Sequence, residues 1–187
     1  ATSHPLAANA GLDILKKGGN AVDAAITAAA VLNVVEPMST GIGGDVFSLI
    51  YLNNGSKVIA LNGSGRSGSK VNYDYFIENN FDQIPSEGPN SGLSVSIPGA
   101  VDAWEELSKN YGNFSLDTLL LPAIDLANNG FPVSEIIADY WNKSEKKLSI
   151  NDDCDFLINN KSPQFGDTFK NRNLGKISGF GFAFGYI

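Results

Sequence analysis

The chain has 187 residues, of which 43% are hydrophobic and 18% charged, and a formal net charge of −7. This composition is typical of a folded chain of one domain, or of two small ones. The acidic balance disfavours nucleic acid or an anionic membrane surface as a partner. Because the chain has a single cysteine, Cys154, and a single histidine, His4, we expect no internal disulfide, metal site or cofactor.

Two helices are predicted before residue 37. Ser3 is the expected N-cap of the first helix, which stops at Gly18-Gly19. Asn20 is the expected N-cap of the second, 21–35, which is apolar on nearly every face and ends at Glu36-Pro37. A helix of this kind belongs in a protein core and is too short to span a membrane.

A β-hairpin is predicted next. Residues 46–52 and 57–61 have the composition of strands, and Asn53-Asn54-Gly55-Ser56 lies between them. Asn-Gly tolerates the positive φ of a tight hairpin turn, so the two strands should pair. A Gly/Ser loop around Arg66, residues 62–70, follows the hairpin.

The rest of the chain is predicted to be mostly helical, so that the order of elements is mixed α and β and not a repeating βαβ unit. Pro98 can begin one helix, and Ser115 and Ser134 are expected N-caps of two more. The apolar residues of the last helix share one side: Ile136, Ile137, Tyr140 and Trp141. The uncharged tail 177–187 alternates Gly or Ala with Phe, and an altered reading frame explains it as well as any function does.

The loop Gly41-Ile42-Gly43-Gly44-Asp45 invites comparison with phosphate-binding loops. A dinucleotide fingerprint follows a strand and opens a helix, whereas this loop follows a helix and opens a strand. We therefore favour glycines that allow tight backbone packing. A role in lining a substrate pocket is the alternative.

Arg66 is the candidate binding residue. It lies in a polar loop, Asn62–Gly68, directly after a predicted strand. A planar guanidinium there can bind a carboxylate through two hydrogen bonds, and Ser64 or Ser67 can add a hydroxyl donor. From the residues alone, a solvated surface arginine is the favoured alternative.

Two other polar features are expected to be structural. Ser3 and His4 are adjacent in sequence and lack an orienting acid, so His4 is expected to cap or pack and not to act as a base. The acidic run 152–155 lacks the spacing and the closing glutamate of a calcium loop, so a solvated turn is expected.

The motifs of the chain resemble, in order, those of the gamma-glutamyltranspeptidase family of N-terminal-nucleophile hydrolases. The resemblance runs from Ala1 to about Lys176 and breaks at Ile177. It predicts that 1–176 is the N-terminal portion of a large subunit and that 177–187 is an atypical apolar tail. The matching segments are Ser3-His4-Pro5-Leu6-Ala7, 18–25, 41–45, 97–104, 111–112, 121–123, 126–127, 130–133, 165–169 and 173–174.

The resemblance implies a fold and a mechanism. The fold would be α+β, part of a four-layer αββα sandwich, with this chain supplying mostly helices plus a β-hairpin. Family members are made as one precursor that cleaves itself, and a threonine at the new N-terminus of the small subunit attacks a gamma-glutamyl amide. Arg66 occupies the place of the arginine that binds the substrate's alpha-carboxylate. The threonine has no counterpart in these residues, so the chain alone is expected to be inactive.

Two departures from the family pattern leave alternatives open. The loop ending at Asp45 replaces a longer glycine run, and Ser67-Gly68 replaces an expected Ala-Pro. Both fit a divergent branch, so an acylase of another amide is the alternative enzyme and a scaffold fragment the alternative outside enzymes.

The expected partners are a gamma-glutamyl small molecule and the small subunit of the same precursor, with higher oligomers left open. No signal peptide is recognisable, and the compartment is unknown. The hairpin and helix 21–35 are expected to expose apolar surface, which would make the isolated chain poorly soluble or oligomeric.

Overall fold

The computed structural model describes residues 1–52, 57–86, 88–150 and 154–180, with the side chains of 177–180 left out. The predicted turn at 53–56, two residues of the acidic run and the end of the apolar tail lie outside the described residues. The elements are α1 (Pro5–Lys16), α2 (Ala21–Val35), β1 (Val46–Tyr51), β2 (Val58–Gly63), α3 (Tyr73–Glu78), a 3-10 turn (Ser91–Ser94), α4 (Ala100–Tyr111), α5 (Leu116–Asn129), β3 (Phe131–Pro132), α6 (Glu135–Leu148), β4 (Thr168–Phe169) and α7 (Arg172–Phe180). The predicted α+β class, mostly helices with one hairpin, is confirmed.

The chain forms two compact units, Ala1–Gly41 with Trp104–Ile187, and Ile42–Ala103. In the first, the helical unit, α2 packs against α1 and α5, and α5 packs against α7. Ile26 and the valines at 31, 34 and 35 are buried in this core, whereas Val22 and Leu32 are half-buried. The expectation that helix 21–35 exposes apolar surface is therefore met only in part. Among the described residues, no helix has the length and apolarity needed to cross a membrane.

An aromatic cluster closes the C-terminal part of the helical unit. The rings of Trp141 and Phe169 meet edge to face with centroids 4.6 Å apart, and Phe131 packs against Phe169. The Trp141 indole N–H donates to the Phe156 carbonyl at 2.9 Å. Phe131 and Phe169 belong to β3 and β4, two-residue strands too short for the sequence pattern to predict. The predicted apolar side of α6 is only half buried, since Ile136 and Tyr140 are exposed and do not join this cluster.

The predicted N-cap residue is confirmed for α2 but not for α1. His4, and not Ser3, is the N-cap of α1, because its Nδ1 accepts a hydrogen bond from the Leu6 N–H at 3.2 Å. Ser3 instead donates from Oγ to Glu36 Oε2 at 2.9 Å. The capping role expected for His4 is confirmed, and so is Asn20 as the N-cap of α2.

A buried carboxylate ties together two turns of the helical unit. Asp23 is fully buried and accepts hydrogen bonds from the Asn20 N–H at 2.8 Å and from the Asn113 and Phe114 N–H groups at 3.0 and 3.3 Å. The turn before α2 is thereby joined to the turn between α4 and α5. The close approach leaves no room for a Cβ at Gly112, which would lie 2.6 Å from Asp23 Oδ1.

The second unit contains the hairpin. β1 and β2 are antiparallel, with Val46 opposite Gly63 and Tyr51 opposite Val58. Burial alternates along both strands, as expected for a sheet with one covered face. On the other face Phe47 and Leu49 are 70% and 77% exposed. The expectation of exposed apolar surface is therefore confirmed for the hairpin.

We predict that Asp23→Asn destabilises the helical unit by about 2–4 kcal/mol, because both carboxylate oxygens accept backbone N–H bonds and the substitution places an amide N–H group against one set of these donors. Faster hydrogen exchange at the Asn113 and Phe114 amides, together with a lower urea midpoint, would show the loss. Asp13→Asn is the matched control, since Asp13 makes only an exposed ion pair with Lys16 at 3.2 Å. Unchanged exchange at both amides would contradict the role assigned to Asp23.

We also predict a pH dependence from His4. Burial lowers the pKa of His4 below its ordinary value of 6.5, and the nearby Glu36 carboxylate offsets part of that effect. Because the native pKa is the lower one, the unfolded chain binds the proton first as the pH falls. The contribution of neutral His4 is present above about pH 6.5 and is lost as the pH falls through its native pKa.

The measurement is the urea midpoint at pH 7.5 and 5.5 for the wild type and for His4→Asn, which keeps an N-cap acceptor but does not titrate. The wild type should lose more stability between the two pH values. Equal losses would show that His4 is not linked to folding.

Candidate carboxylate-binding site

The open end of the hairpin brings two sequence motifs together. β1 begins directly after Asp45, and β2 ends at Gly63, three residues before Arg66. Because Val46 pairs with Gly63, the residues just outside the pair face each other. The loop that ends at Asp45 and the loop that carries Arg66 are therefore neighbours, although nothing in their separate patterns predicted it.

Asp45 holds the Arg66 loop through its side chain. Its Oδ1 accepts a hydrogen bond from the Gly65 N–H at 3.0 Å, and the Ser96 hydroxyl donates to the same oxygen at 3.3 Å. The carboxylate thus joins the residue before Arg66 to the segment that leads into α4.

Backbone hydrogen bonds close the arrangement. The Ile97 N–H donates to the Arg66 carbonyl at 2.9 Å, and the Gly44 carbonyl accepts from the Gly99 and Ala100 N–H groups at 3.1 and 3.0 Å. We call the three joined segments, Gly44–Asp45, Gly65–Arg66 and Ser96–Ala100, the Asp45 clasp.

Glycine is required where the segments of the clasp touch. A Cβ at Gly65 would lie 1.4 Å from the Ile97 carbonyl oxygen, and a Cβ at Gly99 would lie 2.2 Å from the Gly63 carbonyl oxygen. Both neighbours are backbone atoms and cannot rotate away. The expected tight packing at Gly41 and Gly43 is wrong, because a Cβ at either meets nothing within 4 Å. The close approaches lie in the neighbouring segments.

The Arg66 side chain projects from this fixed backbone. It is exposed, and its guanidinium has no ion-pair or hydrogen-bond partner among the described residues. Ser64 Oγ lies 3.3 Å from the Gly65 carbonyl oxygen and bonds locally, while Ser67 is exposed. A free guanidinium on a fixed backbone can bind a carboxylate without first breaking an internal ion pair.

Other polar groups with distinctive surroundings are structural. The Glu145 carboxylate accepts hydrogen bonds from both the N–H and the hydroxyl of Ser162, each at 2.7 Å, and these bonds lower the pKa of Glu145. They fasten α6 to the segment before β4. His4, which belongs to the helical unit, has its Nδ1 engaged in the α1 cap.

A cavity of about 270 Å³ lies in the helical unit. Its described lining is mainly apolar, with Ser144 and Lys147 as the polar members. Neither Arg66 nor Asp45 contributes to it. The other lining residues are Pro37, Met38, Trp141, Leu148 and Phe156.

Comparison with known proteins identifies the family. The model of the family described as gamma-glutamyltranspeptidase matches residues 7–178. The chain belongs to the gamma-glutamyltranspeptidase family. The resemblance found in the sequence motifs is confirmed.

The chain is similar to a curated relative, the glutathione hydrolase proenzyme of Bacillus subtilis, with 37% identity over 178 residues. That alignment covers 94% of this chain and 30% of the relative, so the chain spans less than a third of the relative's length.

Solved structures of the family superpose closely. Helicobacter pylori gamma-glutamyltranspeptidase matches with a TM-score of 0.89 and 30% identity, over 98% of this chain and 53% of that one. Cephalosporin acylase from Bacillus halodurans matches with a TM-score of 0.84 and 39% identity, over 97% of this chain and 35% of that one. The chain is therefore similar both to a protein named as a gamma-glutamyltranspeptidase and to one named as a cephalosporin acylase.

We predict that Gly65→Ala opens the Arg66 loop, because its Cβ overlaps the Ile97 carbonyl. Trypsin cleavage after Arg66 should become at least about tenfold faster, since cleavage follows the population of the open form. Gly68→Ala is the matched control, because its Cβ would lie 3.8 Å from the nearest atom, Val71 Cγ2. Wild-type cleavage rates for Gly65→Ala would contradict the close approach.

Proposed function

We propose that the full-length protein is a gamma-glutamyl hydrolase or transferase that acts on glutathione-like amides, with Arg66 binding the alpha-carboxylate of the glutamyl group. Family membership supports the class of reaction. The observation that carries the substrate assignment is the exposed Arg66 guanidinium, which has no partner in the described part of the chain and lies on a loop held by the Asp45 clasp.

Arg66 suits this task by its chemistry. Its planar guanidinium can donate two parallel hydrogen bonds to the two oxygens of a carboxylate. Fixing the alpha-carboxylate holds the rest of the glutamyl group in one orientation. The gamma-carbonyl can then sit where a nucleophile reaches it, which lowers the entropic part of the barrier.

The reaction itself would be carried out by groups outside this chain. A threonine hydroxyl at the N-terminus of a small subunit attacks the gamma-carbonyl, and its own alpha-amine takes the proton. Backbone N–H groups stabilise the resulting oxyanion. The leaving amine departs with a proton, and water or an acceptor amine then releases the glutamyl group from the acyl-enzyme. This mechanism needs no cofactor.

The proposal includes the architecture of the complete protein. Residues 1–176 would form the N-terminal part of the large subunit, and a small subunit from the same precursor would complete a four-layer αββα sandwich. The chain by itself would be inactive.

An acylase of another amide is the second candidate. It is supported by the 39% identity to the cephalosporin acylase, which is comparable to the 37% identity to the Bacillus subtilis glutathione hydrolase proenzyme. The loop ending at Asp45 and Ser67-Gly68, which depart from the expected longer glycine run and Ala-Pro, also fit this candidate. Anilides that lack the alpha-amino acid group separate the two candidates, because only the acylase would prefer them.

The first test is turnover of gamma-glutamyl-p-nitroanilide by the complete gene product, with an intact-mass spectrum of the same sample. We expect p-nitroaniline release together with two subunit masses. The chain of residues 1–187 alone should release none. A single unprocessed mass without turnover would refute the proposal.

The second test concerns Arg66. Arg66→Ala in the complete protein should weaken binding of the glutamyl substrate by about 2–4 kcal/mol, the cost of losing a charge-assisted pair. This corresponds to a KM higher by roughly 30- to 700-fold.

Two controls sharpen the Arg66 test. Arg66→Lys keeps the charge but loses the planar fork, so its KM should fall between the wild type and Arg66→Ala. Lys70→Ala removes an exposed cation four residues away and should leave KM nearly unchanged. An unchanged KM for Arg66→Ala would remove Arg66 from the site.

A further inference from the structure

We propose that Asp45 is a positioning residue for Arg66: its carboxylate holds the Arg66 backbone in the orientation that presents the guanidinium to substrate. This inference rests on the proposed function of Arg66. It assigns a role to a residue that the sequence motifs indicated only as the end of a glycine loop.

The contacts of Asp45 converge on Arg66 from two sides. On one side Oδ1 accepts from Gly65 N–H, in the residue before Arg66, at 3.0 Å. On the other side Oδ1 accepts a hydrogen bond at 3.3 Å from the hydroxyl of Ser96, the residue before Ile97. Since the Ile97 N–H donates to the Arg66 carbonyl at 2.9 Å, the contacts form a closed ring.

The Asp45 side chain supplies the oxygen that joins the Gly65 and Ser96 segments. The remaining hydrogen bonds between the segments of the clasp are made by the backbone, from the Ile97 N–H to the Arg66 carbonyl and from the Gly99 and Ala100 N–H groups to the Gly44 carbonyl. Gly65 and Gly99 have no side chain at these contact points. Every residue of 64–69 other than Arg66 is a glycine or a serine, so the loop has little stiffness of its own. Asp45 Oδ1 accepts hydrogen bonds from both the Gly65 N–H and the Ser96 hydroxyl, and these bonds restrict the conformations of the loop.

Asp45 is not proposed to contact the substrate. Its hydrogen bonds need an oxygen acceptor, and an asparagine carbonyl oxygen could accept the same two bonds. A positioning role therefore predicts rescue by Asp45→Asn, whereas a direct charge contact with a substrate ammonium group would not be rescued.

The test uses the full-length protein and gamma-glutamyl-p-nitroanilide, with four variants in a double-mutant cycle. Asp45→Ala should raise KM at least about tenfold with a smaller change in kcat, because the guanidinium loses its orientation. Asp45→Asn should stay within about threefold of the wild type. In the Arg66→Ala background, Asp45→Ala should add nothing further.

Asp82→Ala is the matched control. Asp82 is an exposed carboxylate of the same unit, and its loss should leave KM unchanged. If Asp45→Ala fails to fold, Ser96→Ala carries the test, because it removes only the 3.3 Å bond to Asp45 Oδ1. Ser96→Ala should raise KM less than Arg66→Ala does and add nothing to it.

The outcomes separate this inference from the proposed function. A raised KM for Arg66→Ala with a normal KM for Asp45→Ala would overturn the positioning role and leave the proposed function intact. A normal KM for Arg66→Ala would overturn both. Additive effects in the double variant, or an Asp45→Asn variant as poor as Asp45→Ala, would show that Asp45 acts independently of Arg66.

Discussion

The approach of three backbone segments at the open end of the hairpin is the constraint on which the candidate site depends. A Cβ at Gly65 would lie 1.4 Å from a carbonyl oxygen, so the Arg66 loop can occupy its place only with glycine there. Pairing of Val46 with Gly63 sets which residues meet, and the Asp45 carboxylate then binds them. Sheet register, glycine and one side-chain acceptor together place a guanidinium that has no partner of its own among the described residues.

In the helical unit, too, a carboxylate that accepts backbone N–H hydrogen bonds joins distant segments of the chain. Asp23 lies in the first turn of α2, and Asp45 directly precedes β1. Each carboxylate accepts hydrogen bonds from backbone N–H groups of a segment far along the chain. A carboxylate oxygen offers several lone pairs to backbone donors that would otherwise be unpaired at turns. At Asp23 the bond is buried and stabilises a core, whereas at Asp45 it is exposed and orients a loop. Burial therefore decides whether such a carboxylate mainly affects stability or geometry.

The sequence predicted local structure well and long-range contacts poorly. The bounds of α2 followed from apolar patterning, and Asn20 followed from capping chemistry. The hairpin was predicted, but its second strand is Val58–Gly63 and not 57–61. The shift of the α1 cap from Ser3 to His4 could not be foreseen, because both side chains carry an acceptor and only the path of the chain selects one. β3 and β4 are too short to leave a pattern.

The same division applies to the candidate site. Arg66 could be singled out because a cation in a Gly/Ser loop after a strand is a recognisable pattern, reinforced by the family resemblance. Asp45 and Ser96 could not, since their partners lie 20 and 51 residues away in the chain. The predicted hairpin nevertheless carried a signal for Asp45. A residue immediately before the first strand of a hairpin lies opposite the residues that follow the second strand, so an acidic side chain there can accept hydrogen bonds from them.

The most direct test of the account is a structure of the full-length protein with glutamate bound. Two nitrogen atoms of Arg66 should lie about 2.7–2.9 Å from the two alpha-carboxylate oxygens, the geometry of a bidentate pair. Asp45 should remain bonded to the Gly65 N–H and stay out of contact with the ligand. Glutamate bound away from Arg66, or an Arg66 side chain turned from the carboxylate, would contradict the central claim.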